Sequence, residues 1–212
     1  MEQWKVKGDF MEVEKRSTVH KRGVRKLEDI TLAVVHYTGS MNFQGTLNWF
    51  GDDRSKVSAQ YVINRDGDVV AYDDLYPVMW HCGKSEWEGT KWCNRRAVGY
   101  ELVGTFDSGF TDNQMDSLTQ LLYDDIFTTR ITSIVGHEHI SPGRKVDPGP
   151  EFNWSYIRES HKANPFRNML KEPITHIGSH PVHLPKKTYE EEVRIESGKD
   201  APYVVWRPMF FK

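Results

Sequence analysis

Apolar residues in the first half of the chain follow two different spacings. The run ITLAVVHYTG, which begins at Ile30 and ends near Gly39, is short, apolar and rich in β-branched residues. This composition predicts a buried strand. In the next stretch, Phe43, Leu47 and Phe50 recur at helical spacing, which predicts a short amphipathic helix between residues 42 and 51.

The middle of the chain predicts a hairpin, another strand and a longer helix. Two β-rich runs in SAQYVINRDGDVVAYD flank Asp66 and Gly67, and Gly accepts the positive φ that a tight hairpin turn needs. AVGYELVGT predicts a further strand. Thr111 and Gln114 have the spacing of a capping box at the start of a helix. One face of that helix is apolar and comprises Met115, Leu118, Leu121, Leu122 and Ile126.

The remaining elements define the expected fold class. ITSIVG predicts a strand that leads to His137, and WSYIRESHKA predicts a closing helix. Strands therefore alternate with helices, and we expect an α/β fold with a mixed central β-sheet flanked by helices, followed by a C-terminal extension.

Changes in composition suggest three segments. Residues 1–28 are polar, with six basic residues and no acidic residue from Lys15 to Lys26, and we interpret them as a solvated charged segment rather than an anion-binding face. Residues 29–165 form the expected catalytic domain. Residues 166–212 are the extension, either packed on the core or acting as a small targeting element. Its apolar end, Val204 to Phe211, is expected to be buried.

Charge, hydropathy and cysteine content exclude several classes of partner. The net charge of −2 gives no reason to expect a nucleic acid partner, and no apolar run approaches the roughly 20 residues of a membrane span. The N-terminal sequence lacks the apolar core of a secretory signal peptide, so we expect cytoplasmic synthesis. Cys82 and Cys93 lack C-x-x-C spacing and are expected to be buried, reduced thiols.

The loop GHEHISPGRKVDPGP, together with the end of the first apolar strand, suggests a metal site. His36 lies near the end of the strand from Ile30, His137 follows the later strand, and Asp147 comes ten residues further on. Two imidazoles and one carboxylate are sufficient for a catalytic Zn²⁺ ion that keeps one coordination position open.

Four ordered segments carry a family resemblance. VVHYTGS, VSAQYVINRDGDVVAY, MWHCGKSEWEGTKWCNRRAVGYELVGT and GHEHISPGRKVDPGPEFNW resemble successive motifs of the zinc-dependent N-acetylmuramoyl-L-alanine amidases of the amidase-2 family. This family includes muropeptide-recycling amidases, phage enzymes and peptidoglycan recognition proteins. The resemblance extends from about residue 30 to residue 158, and the recycling amidases match its pattern best.

The resemblance implies roles for individual residues. His36, His137 and Asp147 fall at the zinc ligands, Glu101 at the catalytic acid and Lys145 at a cation that stabilises the transition state. It also implies that His81 lines the substrate site and that Arg144 contacts substrate or supports the loop. His139 departs from the family pattern, so His137 and His139 both stay candidates for the second ligand; the Gly-His pattern favours His137.

The chemistry of these residues suits amide hydrolysis. Zinc lowers the pKa of bound water to about 7, a carboxylate such as Glu101 can move the proton to the leaving amine, and Lys145 can stabilise the oxyanion. Glu101 could instead be a solvent-facing glutamate. The alternatives to an amidase are a non-catalytic peptidoglycan-binding module and an unrelated two-His, one-Asp hydrolase, although the H-E-x-x-H motif is absent.

The expected substrate is peptidoglycan or a muropeptide, cleaved between N-acetylmuramic acid and L-alanine. Two biological roles fit. One is a lytic, phage endolysin-type enzyme that reaches the cell wall through a holin, and the other is a cytoplasmic enzyme that recycles anhydromuropeptides. The long extension and the basic N-terminal segment favour the lytic role at this point.

Overall fold

The protein consists of one central sheet with helices and loops on its two faces. The structure, a computed structural model, describes residues 13–165 and 167–179. Its strands are β1 Val13–Arg16, β2 Lys21–Val24, β3 Leu32–Tyr37, β4 Tyr61–Ile63, β5 Val69–Tyr72, β6 Pro77–Met79, β7 Glu86–Trp87, β8 Thr90–Lys91, β9 Ala97–Leu102, β10 Ser133–Gly136 and β11 His176–Ile177. Its α-helices are α1 Phe43–Gly51, α2 Asp112–Thr128, α3 His137–Ile140 and α4 Trp154–Ala163.

The central sheet has seven strands in the order β1-β5-β4-β9-β3-β10-β11. Only β4 and β5 pair antiparallel, and every other neighbouring pair in this sheet is parallel. Two small two-stranded sheets, β2 with β6 and β7 with β8, lie outside it. The mixed sheet with flanking helices confirms the predicted fold class.

The two faces of the central sheet pack against different parts of the protein. Side chains alternate across a strand, so Ala33 and Val35 of β3 lie on one face and Val34 and His36 on the other. The first face packs in the large apolar core with residues of α2 and α4, including Leu118, Leu122 and Ile157. The second face packs against smaller apolar clusters and carries the polar groups described below.

Local sequence signals specify several of these elements, as predicted. The β4–β5 hairpin turns at Gly67, which has a φ of +97°. The side chain of Asn42 caps α1 by accepting a hydrogen bond from the Gly45 amide. Thr111 and Gln114 form the expected capping box of α2. Each bond satisfies a backbone donor that the first turn of a helix leaves unpaired.

The basic N-terminal segment is more ordered than its composition suggests. Strand β1 pairs with β5 at one edge of the central sheet, and β2 pairs with β6. The interpretation of a solvated charged stretch is wrong for Arg25, which is 5% exposed. Its guanidinium donates to the carbonyl oxygens of Leu75, Asn94 and Ala97, and these bonds offset the loss of solvation.

The C-terminal extension contributes the opposite edge of the sheet. Strand β11 pairs parallel to β10, with Ser133 opposite His176. The predicted boundaries at residues 28 and 165 stay predictions. The central sheet takes strands from both sides of each boundary. The apolar end from Val204 lies outside the described residues. Cys82 and Cys93 are buried and form no disulfide, as expected. Among the described residues, no helix is long and apolar enough to cross a membrane.

Candidate active site

Parallel strand pairing brings the candidate residues into one row across the sheet. His36 of β3 lies directly opposite Glu101 of β9. On the other side of β3, Val35 is opposite Gly136, so that His137 follows β10 at the level of His36. Residues at the same level of parallel strands share a face, and this row therefore collects two imidazoles and a carboxyl group.

The three predicted metal ligands converge on one point. Nδ1 of His36 lies 3.0 Å from Nδ1 of His137 and 2.9 Å from Oδ2 of Asp147, and the His137–Asp147 distance is 3.0 Å. All three residues are buried. Tetrahedral ligands with bonds of about 2.0–2.1 Å to zinc lie roughly 3.3 Å apart, so this triangle is close to the size that a metal ion requires.

Hydrogen bonds on the far side of the histidine rings fix which nitrogen faces the triangle. Nε2 of His137 lies 2.9 Å from the Cys82 carbonyl oxygen, which can only accept, so this nitrogen carries the proton. Nδ1 of His137 is thereby directed at Nδ1 of His36 and at the Asp147 carboxylate. A carbonyl oxygen that holds the far nitrogen of an imidazole is typical of metal-binding histidines, and the donor set fits a metal ion.

The protonation states also suit metal binding. Burial, with a contribution from His137, lowers the pKa of His36 to about 4. Burial alone would raise the pKa of Asp147, but His137 and His36 outweigh it and hold this pKa well below its ordinary value. A neutral imidazole beside a charged carboxylate is the combination that binds metal at neutral pH.

Glu101 and Lys145 line a cleft beside this triangle. The cleft has a volume of about 220 Å³ and is also lined by His36, His137 and Asp147. Burial raises the pKa of Glu101 well above its ordinary value, Asp147 raises it further, and Lys145 opposes both effects. The structure therefore places Glu101 on the cleft and not on the outer surface, where the alternative interpretation put it.

His81 contacts His36, one of the predicted ligands, as well as the cleft. Its Nδ1 lies 3.0 Å from Nε2 of His36, and the two rings meet edge to face. Gly99 makes this position possible, because a Cβ atom there would come within 2.7 Å of the His81 ring. The resemblance implied a substrate-lining role for His81; its bond to His36 adds a role in orienting that ring.

The guanidinium group of Arg144 forms hydrogen bonds within the protein. Its guanidinium donates to the carbonyl oxygens of Cys82 and Lys84 and to the hydroxyl of Ser141. Of the two roles implied for this residue, these contacts favour support of the loop.

His139 points away from the triangle. Its Nδ1 accepts a hydrogen bond from the Gly136 amide at 2.7 Å, and its Nε2 lies 2.6 Å from the Ser179 carbonyl oxygen. The segment that was predicted as a loop begins with one helical turn, α3, which directs His137 and His139 to different surroundings. This geometry favours His137 as the second ligand.

An aromatic part of the cleft wall was missed at the level of sequence. Trp49 and Trp80 line it together with Val57. The only signal was the presence of tryptophan beside a candidate residue in MWHCG and at the end of the α1 segment. Such tryptophans are more often core residues, so this signal was weak.

The fold and this site agree with comparisons to known proteins. Residues 26–150 match the Amidase_2 family of N-acetylmuramoyl-L-alanine amidases. The chain belongs to this family and is an N-acetylmuramoyl-L-alanine amidase.

The names of similar characterised proteins specify the type of amidase more closely. The chain is 36% identical over 158 residues to the 1,6-anhydro-N-acetylmuramyl-L-alanine amidase AmpD of Haemophilus influenzae. The aligned region covers 64% of this chain and 84% of that protein. It is 35% identical to AmpD of Citrobacter freundii, over 59% of this chain and 71% of the relative.

Solved structures show the same fold. A selenomethionine derivative of AmpD superposes with a TM-score of 0.61 and 30% identity, over 72% of this chain and 96% of the AmpD chain. AmiD from E. coli, in complex with anhydro-N-acetylmuramic acid-L-Ala-D-γ-Glu-L-Lys, has a TM-score of 0.60 and 26% identity, over 64% of this chain and 58% of AmiD.

Substitution of Gly99 tests the packing of His81 beneath the site. We expect Gly99→Ala to lower the free energy of unfolding by about 1–3 kcal/mol, because the added methyl group displaces the His81 ring. Gly51→Ala is the matched control, since no atom lies within 4 Å of a Cβ atom there. Urea denaturation of both variants measures the difference. Equal stability of the two variants would show that His81 is not held against Gly99.

Proposed function

We propose that this protein cleaves the amide bond between 1,6-anhydro-N-acetylmuramic acid and L-alanine in soluble muropeptides. The observation that carries the proposal is the similarity to AmpD proteins over 71–84% of their length. The AmiD complex with an anhydromuropeptide supports the same substrate class. The recycling role therefore replaces the lytic role that the sequence favoured. Similarity to clostridial endolysin-type amidases, at 17–18% identity, concerns the fold alone.

The described part of the extension gives no support to a lytic role. Residues 167–179 add a strand to the central sheet instead of forming a separate unit that could bind cell wall. The described part of the basic N-terminal segment, residues 13–28, is likewise part of the fold, since β1 and β2 both pair with strands of the protein. Over these described residues, neither argument for the lytic role has structural support.

We further propose that His36, His137 and Asp147 hold a zinc ion. The support is the triangle of donor atoms and the Cys82 carbonyl group, which turns Nδ1 of His137 towards it. When bound, zinc would supply Lewis-acid activation of the attacking water and of the scissile carbonyl group. His81 and the Cys82 carbonyl hold the two imidazoles with their Nδ1 atoms directed at the ion.

Glu101 is proposed to move the proton during hydrolysis. Its carboxyl group lines the cleft beside the proposed ligands, where burial raises its pKa well above the ordinary value. A group with such a pKa can accept the proton of the attacking water and then donate it to the nitrogen of L-alanine as the amide bond breaks.

Lys145 is proposed to stabilise the oxyanion of the tetrahedral intermediate. It lies on the same cleft and comes from the loop that carries His137 and Asp147, so its ammonium group and two of the three proposed ligands belong to one segment. A fixed cation that meets developing negative charge lowers the barrier more than it strengthens substrate binding.

A peptidoglycan-binding module without activity is the second candidate. The fold is shared with peptidoglycan recognition protein LE, at 13% identity and a TM-score of 0.52. The complete set of ligands, together with Glu101 on the cleft, favours the hydrolase.

Substrate choice tests the proposed role directly. The purified protein with zinc is incubated with a soluble anhydromuramyl peptide and, separately, with purified sacculi, and products are identified by mass spectrometry. We expect free peptide with an L-alanine N-terminus from the soluble substrate, and release from sacculi slower by about 100-fold or more. Faster cleavage of sacculi would restore the lytic role.

Two substitutions test the chemistry in the same assay. We expect Glu101→Gln to lower kcat by about 10²–10⁴ because it removes the proton acceptor. Lys145→Ala should lower kcat by about 10²–10³, with a smaller change in KM. Both variants should keep their zinc. Lys162→Ala, at an exposed ion pair on α4, which packs on the opposite face of the sheet, is the control and should leave turnover unchanged. Wild-type turnover in Glu101→Gln would remove it from the mechanism.

Metal analysis tests the ligand set without reference to activity. We expect one zinc per wild-type chain and none above background in His36→Ala or Asp147→Ala after dialysis, because two remaining donors bind weakly. His137→Ala should behave in the same way. Full occupancy in His137→Ala would transfer the second ligand position to another residue. Plasma emission spectrometry on folded preparations, checked by circular dichroism, provides the measurement.

A further inference from the structure

Residues 167–179 form a segment, here called the C-terminal strap, that covers one edge of the central sheet. This edge lies beside residues 136–150, here called the metal loop, which carry His137 and Asp147. The strap includes β11 and pairs with β10, the strand that leads directly to His137. The amides of Thr175 and Gly178 donate to the carbonyl oxygens of Thr132 and Ile134, each at 2.8 Å. The strap therefore lies next to the strand that delivers a ligand.

Contacts with two other elements hold the strap in place. Gly178 packs on the indole of Trp154, where a Cβ atom would come within 2.9 Å of the ring. Arg158 of α4 donates to the Gly178 carbonyl oxygen at 2.6 Å. The ring of His176 lies 4.9 Å from that of Trp87 in the β7–β8 hairpin.

His139 connects the strap to the start of the metal loop. The Gly136 amide can only donate and the Ser179 carbonyl can only accept, so one neutral tautomer satisfies both: Nδ1 accepts and the Nε2–H group donates. The ring also packs edge to face on Trp154, with centroids 5.5 Å apart. A single side chain thus bonds to both segments.

The Gly136 peptide is the point at which this connection reaches the ligands. Gly136 immediately precedes His137, and a Cβ atom on it would come within 2.5 Å of Cδ of Pro148, the residue after Asp147. The Glu138 amide also donates to the Asp147 carbonyl oxygen at 2.9 Å. Gly136 is therefore packed between His139 and the segment that carries the third ligand.

We propose that His139 is a positioning residue that couples docking of the C-terminal strap to the geometry of His137 and Asp147, and hence to metal affinity. The proposal rests on the metal site of the proposed function. Residues that orient metal ligands typically contribute about 10–100-fold to affinity. Coupling is reciprocal, so a bound metal must also stabilise the docked strap.

Three variants of the full-length chain separate the two bonds of His139. His139→Ala removes both. His139→Asn keeps an acceptor for the Gly136 amide but is too short to reach Ser179. Thr175→Val is the matched control: it removes the bond from the Thr175 hydroxyl to the Thr132 carbonyl oxygen, which holds the strap without touching the loop.

Zinc affinity is measured by competition with a chromophoric chelator. We expect His139→Ala to weaken zinc binding by about 10–100-fold and His139→Asn by about 10-fold, whereas Thr175→Val stays within about twofold of the wild type. An unchanged affinity in His139→Asn would overturn the proposal, because the bond to the strap would then contribute nothing. An equal loss in Thr175→Val would also overturn it if hydrogen exchange of the Gly178 amide shows the strap still docked, since the effect would then not pass through docking of the strap.

Hydrogen exchange tests the reciprocal effect on the wild type, with no substitution. Zinc should slow exchange of the strap amides, Gly178 included, and leave the amides of β1 at the opposite edge unchanged. Unchanged strap exchange with zinc bound would overturn the coupling and leave the proposed function intact. A wild-type protein that binds no zinc at all would overturn the metal site and the coupling together.

Discussion

The parallel register of β3 with β9 and β10 is the constraint on which the site depends. It places Glu101 opposite His36, and it brings the end of β10 to the level from which His137 departs. A shift of one residue in either pair would turn these side chains to the opposite face, into the apolar layer under α2 and α4. That layer strongly disfavours a shift, because Val35 and Tyr100 would lose their buried positions. Core packing on one face therefore fixes the polar row on the other.

The same row concentrates groups that are costly to bury. His36, His81, His137 and Asp147 are each less than 9% exposed. Removing a carboxylate from water is unfavourable, and Asp147 is buried together with the two imidazoles that contact it. A cation held by these three residues, as proposed, would offset part of this cost. On that proposal, stability and metal binding would be linked at one point of the sheet.

Much of the fold followed from local signals in the sequence. The turn at Gly67 and the capping box at Thr111 act within a few residues, so the sequence alone specifies them. The convergence of His36, His137 and Asp147 was predictable for another reason: the two histidines lie at the ends of apolar strands, and the aspartate lies in a proline-containing loop that follows one of them. Contacts between distant segments were not predictable. Arg25 is buried because three carbonyl groups from residues 75–97 surround it, and no pattern near residue 25 indicates them.

The short strands at the edges were missed for a related reason. VEKR of β1 contains one apolar residue and β11 contains two residues, so neither shows the alternation that marks a strand. Their pairing depends on backbone hydrogen bonds to neighbours that are already in place. The hydrogen bond from His139 to the strap was not predictable for the same reason. The His139 ring bonds to both Gly136 and Ser179, which are 43 residues apart in the sequence.

These two edge strands lie outside residues 26–150, the part of the chain that matches the family. Without β11, strand β10 would be an edge strand with unpaired backbone groups, and an edge strand opens more readily than an internal one. Because β10 leads into His137, such opening would displace a proposed ligand directly. Strand β1 covers β5 in the same way, but β5 carries none of the proposed site residues. The two edge strands therefore close the same sheet with different consequences: β1 stabilises the fold, and β11 also stabilises the strand that leads to the proposed metal site.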